Sequence, residues 1–261
     1  MGTSLQCDLI FDFKNELYGG VDSEKVRVWQ IPAYPNLTHQ ALVDHAKSWG
    51  VIDFLTSYEQ ELVGRYYLEE DRNRKLISQI ALRVILSEYL MVDPKELEFG
   101  KSEFGKPFID LKNRLQFNLT HSYDYIYLAV GESIPLGIDL EYVSPTFEYE
   151  ELLELVFQPD EIDQIQNSNN PLMTFFQYWT RKEAFLKAVG YGFSIHPQAV
   201  PVNIGLNVFG LTRDLGFKHW RSKTFEVVPD YILSIALASD SSFSLHFEEW
   251  DFFKEVPLIL K

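Results

Sequence analysis

Three short runs between residues 115 and 142 limit the possible folds more than any other feature of the chain. Leu115, Phe117 and Leu119 alternate with Gln116, Asn118 and Thr120, and further strand-like runs follow at Tyr125–Val130 and Leu136–Tyr142. Period-two alternation is the pattern of a strand with one face on a core. No helical run separates the three, which predicts a mostly antiparallel sheet. An earlier strand, Val26–Ile31, is closed by Pro32 and Pro35. The chain ends in strand-like runs at Phe225–Val228, Tyr231–Ala238 and Phe243–Trp250. Apolar residues at helical spacing predict helices over Gln40–Trp49, Tyr58–Leu90, Glu150–Phe157, Glu161–Gln166 and Pro171–Val189. Helices and strands in both halves give an α+β fold, with a seam expected near residues 131–137.

Charge narrows the function. Basic residues number 23 and acidic ones 38, a net charge of −15 over 261 residues. A general nucleic-acid binder needs a basic surface, so no nucleic-acid partner is expected. A few local cations can still hold an anionic ligand. Cys7 is the single cysteine and allows neither an internal disulfide nor a cysteine-based zinc site. No apolar run approaches the roughly 20 residues that span a bilayer, and the N-terminus lacks the pattern of a signal peptide. A soluble, cytoplasmic protein with no membrane partner is expected.

Several motifs fail. Gly100-Lys101-Ser102 imitates the end of a phosphate-binding loop, but Lys95 stands where the first glycine is required. Gly190 and Gly192 lack the third glycine of a dinucleotide fingerprint and follow a helix.

Others survive. In Gly137-Ile138-Asp139-Leu140-Glu141, alternation puts Ile138 and Leu140 on a core and the two carboxylates together on the opposite face. At roughly 5–6 Å such a pair repels by under 1 kcal/mol in water and by about 3 kcal/mol at an effective dielectric near 20. Either the face is solvated and the pair costs little, or it is partly buried and wants a raised pKa or a cation, for which hard oxygens suit Mg2+. In the helix Phe175–Val189, Glu183 falls inside an aromatic arc of Phe175, Phe176 and Trp179. It is either half of an ordinary i,i+4 pair with Lys187 or a third metal oxygen beside a phosphate-binding lysine. Phe117–Ser122 ends in Thr120, His121 and Ser122, three side chains able to receive an anion or to form a plain turn. Arg65, Arg72, Arg74 and Lys75 form a local basic cluster in an acidic chain.

The order and spacing of these motifs, with Gly105-Lys106-Pro107 and Trp179-Thr180-Arg181-Lys182-Glu183-Ala184-Phe185-Leu186-Lys187, resemble the surfactin-type (Sfp-like) 4′-phosphopantetheinyl transferases over roughly residues 60–195. The resemblance implies transfer of the phosphopantetheine arm of coenzyme A to a serine of an apo acyl or peptidyl carrier protein. It implies Mg2+ on Asp139, Glu141 and Glu183, with Glu183 also a candidate base. Lys187 is implied at phosphate. Arg65, Arg74, Lys106, Pro107, Thr120 and His121 are implied around the nucleotide, with Thr120 where the family usually has serine. Leu62 and Glu59 stand where some members carry basic residues for the 3′-phosphate, leaving Arg65, Arg72 or Lys75 as substitutes.

The resemblance further implies two similar α+β halves in a pseudo-twofold arrangement, residues 1–136 and 137–261, with the site between them in a monomer. Two other functions fit the same residues: a Mg2+-dependent nucleotide or coenzyme A hydrolase using water, and a non-catalytic carrier-binding protein.

Overall fold

The computed structural model describes residues 25–109, 115–200, 202, 220–238 and 243–259. Cys7 lies outside them. The fold is α+β, built from layers.

The first sheet has the order β4-β5-β1-β9, from β1 (Lys25–Pro32), β4 (Leu115–Ser122), β5 (Tyr125–Glu132) and β9 (Ser244–Glu249). All its pairings are antiparallel except β1 with β9, which run parallel. A hairpin, β2 (Phe99–Lys101) and β3 (Pro107–Ile109), stands beside it. The second sheet is antiparallel, in the order β6-β8-β7, from β6 (Leu136–Tyr142), β7 (Trp220–Val228) and β8 (Tyr231–Ala238).

Strand alternation distributes the side chains among three cores. Trp29, Ile31, Phe117, Ile126 and Leu128 pack against the helices α1 (His39–Ser48) and α3 (Glu69–Leu90). Val26, Val28, Tyr127 and Ala129 on the other face meet Leu136, Ile138, Leu140, Leu233 and Ile235 of the second sheet. The outer face of that sheet packs on α4 (Glu150–Val156), α5 (Pro159–Gln166) and α6 (Pro171–Val189).

Two sequence expectations change. The run Tyr58–Leu90 is not one helix: α2 (Ser57–Gly64) stops and α3 restarts at Glu69. Gly64 is a poor helix former, and Glu69, Glu70 and Asp71 favour a new N-terminus through the helix dipole. A buried Arg83–Glu59 pair at 2.8 Å ties α2 to α3, and Glu59 also caps α2 through Thr56. The chain also does not stay in its second half. Residues 243–259 return to the first layer, where β9 extends the sheet and α7 (Phe252–Ile259) buries Phe252 and Val256 in the first core.

Candidate active site

The site forms where β4, β6 and α6 meet. Gly137 sets the spacing. A Cβ there would sit 2.1 Å from the Ala184 carbonyl oxygen and 2.4 Å from the Ala188 nitrogen, so only glycine lets β6 lie directly on the α6 backbone. Because Ile138 and Leu140 face the inter-sheet core, Asp139 and Glu141 face α6, as the alternation predicts.

Asp139 keeps only 4% of its surface exposed. Lys187 reaches it from α6: its Nζ donates to Asp139 Oδ1 at 2.5 Å, and to Thr120 Oγ1 and the Ile138 carbonyl at 3.2 Å each. Lys187 therefore bonds across to β4 and β6. Glu183, one turn earlier, is half-buried and shares the field of Asp139 and Lys187.

All three carboxyl groups hold their protons more tightly than usual. Burial, then the Asp139 charge, pushes Glu141 up to about 7; Lys187 and hydrogen bonds from Ser122 and Trp179 oppose this. Burial raises Asp139 against the pull of Lys187 and Thr120, and burial and Asp139 raise Glu183. Asp139 Oδ2 is buried and has no hydrogen-bond partner among the described residues. A buried, unpartnered carboxylate oxygen costs roughly 1–3 kcal/mol or more, and a hard cation would satisfy it. Asp139 and Glu141 thus fit Mg2+ as oxygen donors, with Glu183 in the field of Asp139. Among the described residues no three acidic or imidazole groups already stand at metal-binding distances.

Two basic side chains, Arg74 and Lys187, act on His121 at the end of β4. Arg74 donates to the Tyr123 carbonyl at 2.8 Å and pairs with Asp71. Tyr123 turns from β4 to β5 with φ 46°, a left-handed backbone uncommon for a non-glycine residue. His121 is exposed at its edge, yet the surrounding protein, then Arg74 and Lys187, hold its imidazole below its usual range.

Not every expected residue joins this cluster. Arg65 is exposed, pairs with Glu61 at 2.9 Å and lies over the Tyr58 ring. Arg72 bonds the Tyr67 carbonyl, and Lys75 lies in the field of Glu59 and Lys101. Lys106 turns inward, donating to the carbonyls of Leu136 at 2.9 Å and Ala188 at 3.1 Å. Burial pushes it down to about 8. Its ammonium covers the C-terminal end of α6, a favourable place for a cation. Pro107 is exposed and opens β3 opposite Lys101. Thr120 is buried against Lys187 and Leu140.

Sequence reading overlooked Trp179 as a partner of Glu141, and the Tyr123 carbonyl as the seat of Arg74. Trp179 is four residues before Glu183 on the same helix, which is the signal that could have placed it near the carboxylates.

Known proteins share this chain's pattern. Residues 135–236 match the family described as the 4′-phosphopantetheinyl transferase superfamily, and residues 45–133 match a 4′-phosphopantetheinyl transferase N-terminal region. The chain is 35% identical over 175 residues to the 4′-phosphopantetheinyl transferase HetI of Nostoc sp. strain PCC 7120, which covers 65% of this chain and 70% of that protein. It is 33% identical over 181 residues to a putative 4′-phosphopantetheinyl transferase of Synechocystis sp. strain PCC 6803, covering 67% and 74%. It is 27% identical over 191 residues to the 4′-phosphopantetheinyl transferase Sfp of Bacillus subtilis strain 168, covering 72% and 84%. The solved holo-(acyl-carrier-protein) synthase of Neisseria meningitidis overlays at a TM-score of 0.33 and 18% identity, covering 41% of this chain and 98% of that one.

Proposed function

Because the chain belongs to the 4′-phosphopantetheinyl transferase superfamily, we propose that Asp139, Glu141, Glu183, Lys187, His121 and Arg74 form the site at which it takes phosphopantetheine from coenzyme A. It is an enzyme of that class, and it transfers the group to carrier proteins. The carrier serine oxygen bonds to phosphorus, the phosphorus–oxygen bond to the nucleotide breaks, and adenosine 3′,5′-bisphosphate leaves.

The single observation that carries this assignment of residues is the buried Asp139–Lys187 contact at 2.5 Å, with Glu141 and Glu183 in its field. A charge-transferring site needs neutralisation of pyrophosphate, a base for the hydroxyl and cations for the remaining phosphate. Asp139, Glu141 and Glu183 would hold Mg2+, which when bound supplies the positive charge that withdraws electrons from the pyrophosphate. Glu183 accepts the serine proton; burial raises its affinity for that proton. Lys187 exchanges Asp139 for a phosphate oxygen. His121 and Arg74 face the nucleotide phosphates. Arg65 and Lys106 are engaged elsewhere and are left out of this set.

The phosphate side comes from β4 and α3, and the carboxylate side from β6 and α6. One chain therefore supplies both sides, and we infer a monomer with the site between its halves. Among the described residues the first half comprises 25–109 and 115–132 with 243–259, and the second 136–200, 202 and 220–238. No helix among the described residues is long and apolar enough to cross a membrane.

Mass spectrometry of apo acyl and peptidyl carriers after incubation with coenzyme A and Mg2+ tests the function. Gain of one phosphopantetheine on a serine is expected, with loss on Asp139→Ala, Glu141→Ala or Glu183→Ala. Free phosphopantetheine would mark a hydrolase, and binding without turnover a carrier-binding protein.

A further inference from the structure

One edge of β6 pairs with β8, and β4 side chains serve the other. Asn118 Oδ1 accepts the Ile138 amide at 2.9 Å, Thr120 Oγ1 the Leu140 amide at 3.2 Å, and Ser122 Oγ the Tyr142 amide at 3.1 Å. Each contact spans 20 residues, so alternate side chains of one strand read alternate amides of the other in constant register.

The two hydroxyls do more than the Asn118 amide. Thr120 Oγ1 donates to Asp139 Oδ1 at 3.4 Å, and Ser122 Oγ donates to Glu141 Oε2 at 3.3 Å. A hydroxyl has one proton and two lone pairs. In each case the amide that follows the carboxylate fills a lone pair, and in Thr120 Lys187 fills the second. The single proton is left for the carboxylate of the preceding residue. The β6 backbone thus aims both hydroxyl protons at Asp139 and Glu141.

We propose that Thr120 and Ser122 are positioning residues that fix the Asp139 and Glu141 carboxylates in the orientation that receives the divalent cation, while Asn118 only sets the register. The proposal rests on the metal role given to these carboxylates above. Hydrogen bonds to ligating groups hold them against rotation, and their removal typically weakens metal binding about 10- to 100-fold. Thr120 therefore serves the site through Asp139 and Lys187.

The test is Mn2+ binding to the protein saturated with coenzyme A, read by electron paramagnetic resonance of free Mn2+, with thermal melting in parallel. Ser122→Ala and Thr120→Val should each weaken Mn2+ about 10-fold or more. Thr120→Ser, which keeps the hydroxyl, should bind as the parent does. Asn118→Ala should melt lower yet keep its affinity within about twofold, since it touches no carboxylate. Unchanged affinity in Ser122→Ala and Thr120→Val overturns the proposal, and so does an equal loss in Asn118→Ala, which would mark strand docking alone. If Thr120→Val does not fold, the half-buried Ser122 decides. Asp139→Asn separates the two layers: parent-like Mn2+ binding there, or none in the parent, defeats the metal role itself.

Discussion

Lys187 and Asp139 join α6 to β6 through a 2.5 Å ion pair in which the carboxylate side chain is 6% exposed and the lysine 31%. In the free protein the ammonium supplies the positive charge that the carboxylate cluster requires. Removing one member of a buried pair strands the other. For fully buried pairs that costs about 3–5 kcal/mol, and the exposure of Lys187 lowers the expectation to about 2 kcal/mol. Lys187→Met should destabilise by that amount, and adding Asp139→Asn should recover most of it. Urea unfolding of the double-mutant cycle measures the coupling; strictly additive effects would show that the pair does not support the fold.

Glu141 makes stability fall with rising pH. Its folded carboxyl titrates at about 7 against an ordinary 4.5. A raised carboxyl pKa favours the protonated folded form, so its contribution is fully present below pH 4.5 and is lost as pH rises through 7. The difference is worth about 3 kcal/mol as an upper figure. Asp139 and Glu183 are raised too and act in the same direction. The metal-free protein should melt progressively lower from pH 5 to 8, and Glu141→Gln should flatten that slope. A melting temperature that rises over this range would contradict the burial of these carboxyls.

His121 should report the phosphate side. Loss of solvent around the ring, then Arg74 and Lys187, keep its imidazole neutral further into acid than usual. A bound phosphate favours the imidazolium and raises its pKa. Adenosine 3′,5′-bisphosphate should therefore bind more tightly as pH falls from 8 to 6, with uptake of a proton, and the His121 ring resonances in NMR should titrate at higher pH in the complex. His121→Gln should reduce that pH dependence and abolish its share of the proton uptake, leaving what Glu141, at about 7, and the phosphates themselves contribute. If the nucleotide leaves the His121 titration unmoved, the phosphate lies elsewhere.

Much of the site is readable from local periodicity. Alternation put Asp139 and Glu141 on the face away from Ile138 and Leu140, and helical spacing put Glu183 beside Trp179 and Lys187. Local periodicity does not name partners. Helical spacing offers Glu183 to Lys187, but close packing of β6 on α6 at Gly137 brings Asp139 instead. Gly105-Lys106-Pro107 by itself reads only as a turn; the Leu136 and Ala188 carbonyls that draw Lys106 inward come together only through packing. The parallel pairing of β9 with β1 joins segments at opposite ends of the chain, and neither strand's own pattern encodes it. Glu59 caps α2 and neutralises buried Arg83, and the second of these roles depends on a partner 24 residues away that local pattern does not reveal.

Gly137 gives the sharpest test of the geometry. A methyl group there would lie 2.1 Å from a backbone oxygen and 2.4 Å from a backbone nitrogen of α6, neither of which can swing aside as a side chain can. The helix would have to retreat as a unit, carrying Glu183 and Lys187 away from Asp139. Overpacking of this kind typically costs about 1–3 kcal/mol, and a clash with main chain belongs at or beyond the upper end. Gly131→Ala is the matched control. Its Cβ would meet the side chains of Leu136 at 3.1 Å and Val26 at 3.3 Å, which can yield by a few tenths of an ångström. Gly137→Ala should lower the melting temperature far more than Gly131→Ala. Where it remains folded, it should lose transfer activity at least as severely as Lys187→Met, because the lysine and its carboxylate part together. A Gly137→Ala protein that melts and turns over like Gly131→Ala would mean that β6 and α6 are not in backbone contact, and the site built on that contact would fall with it.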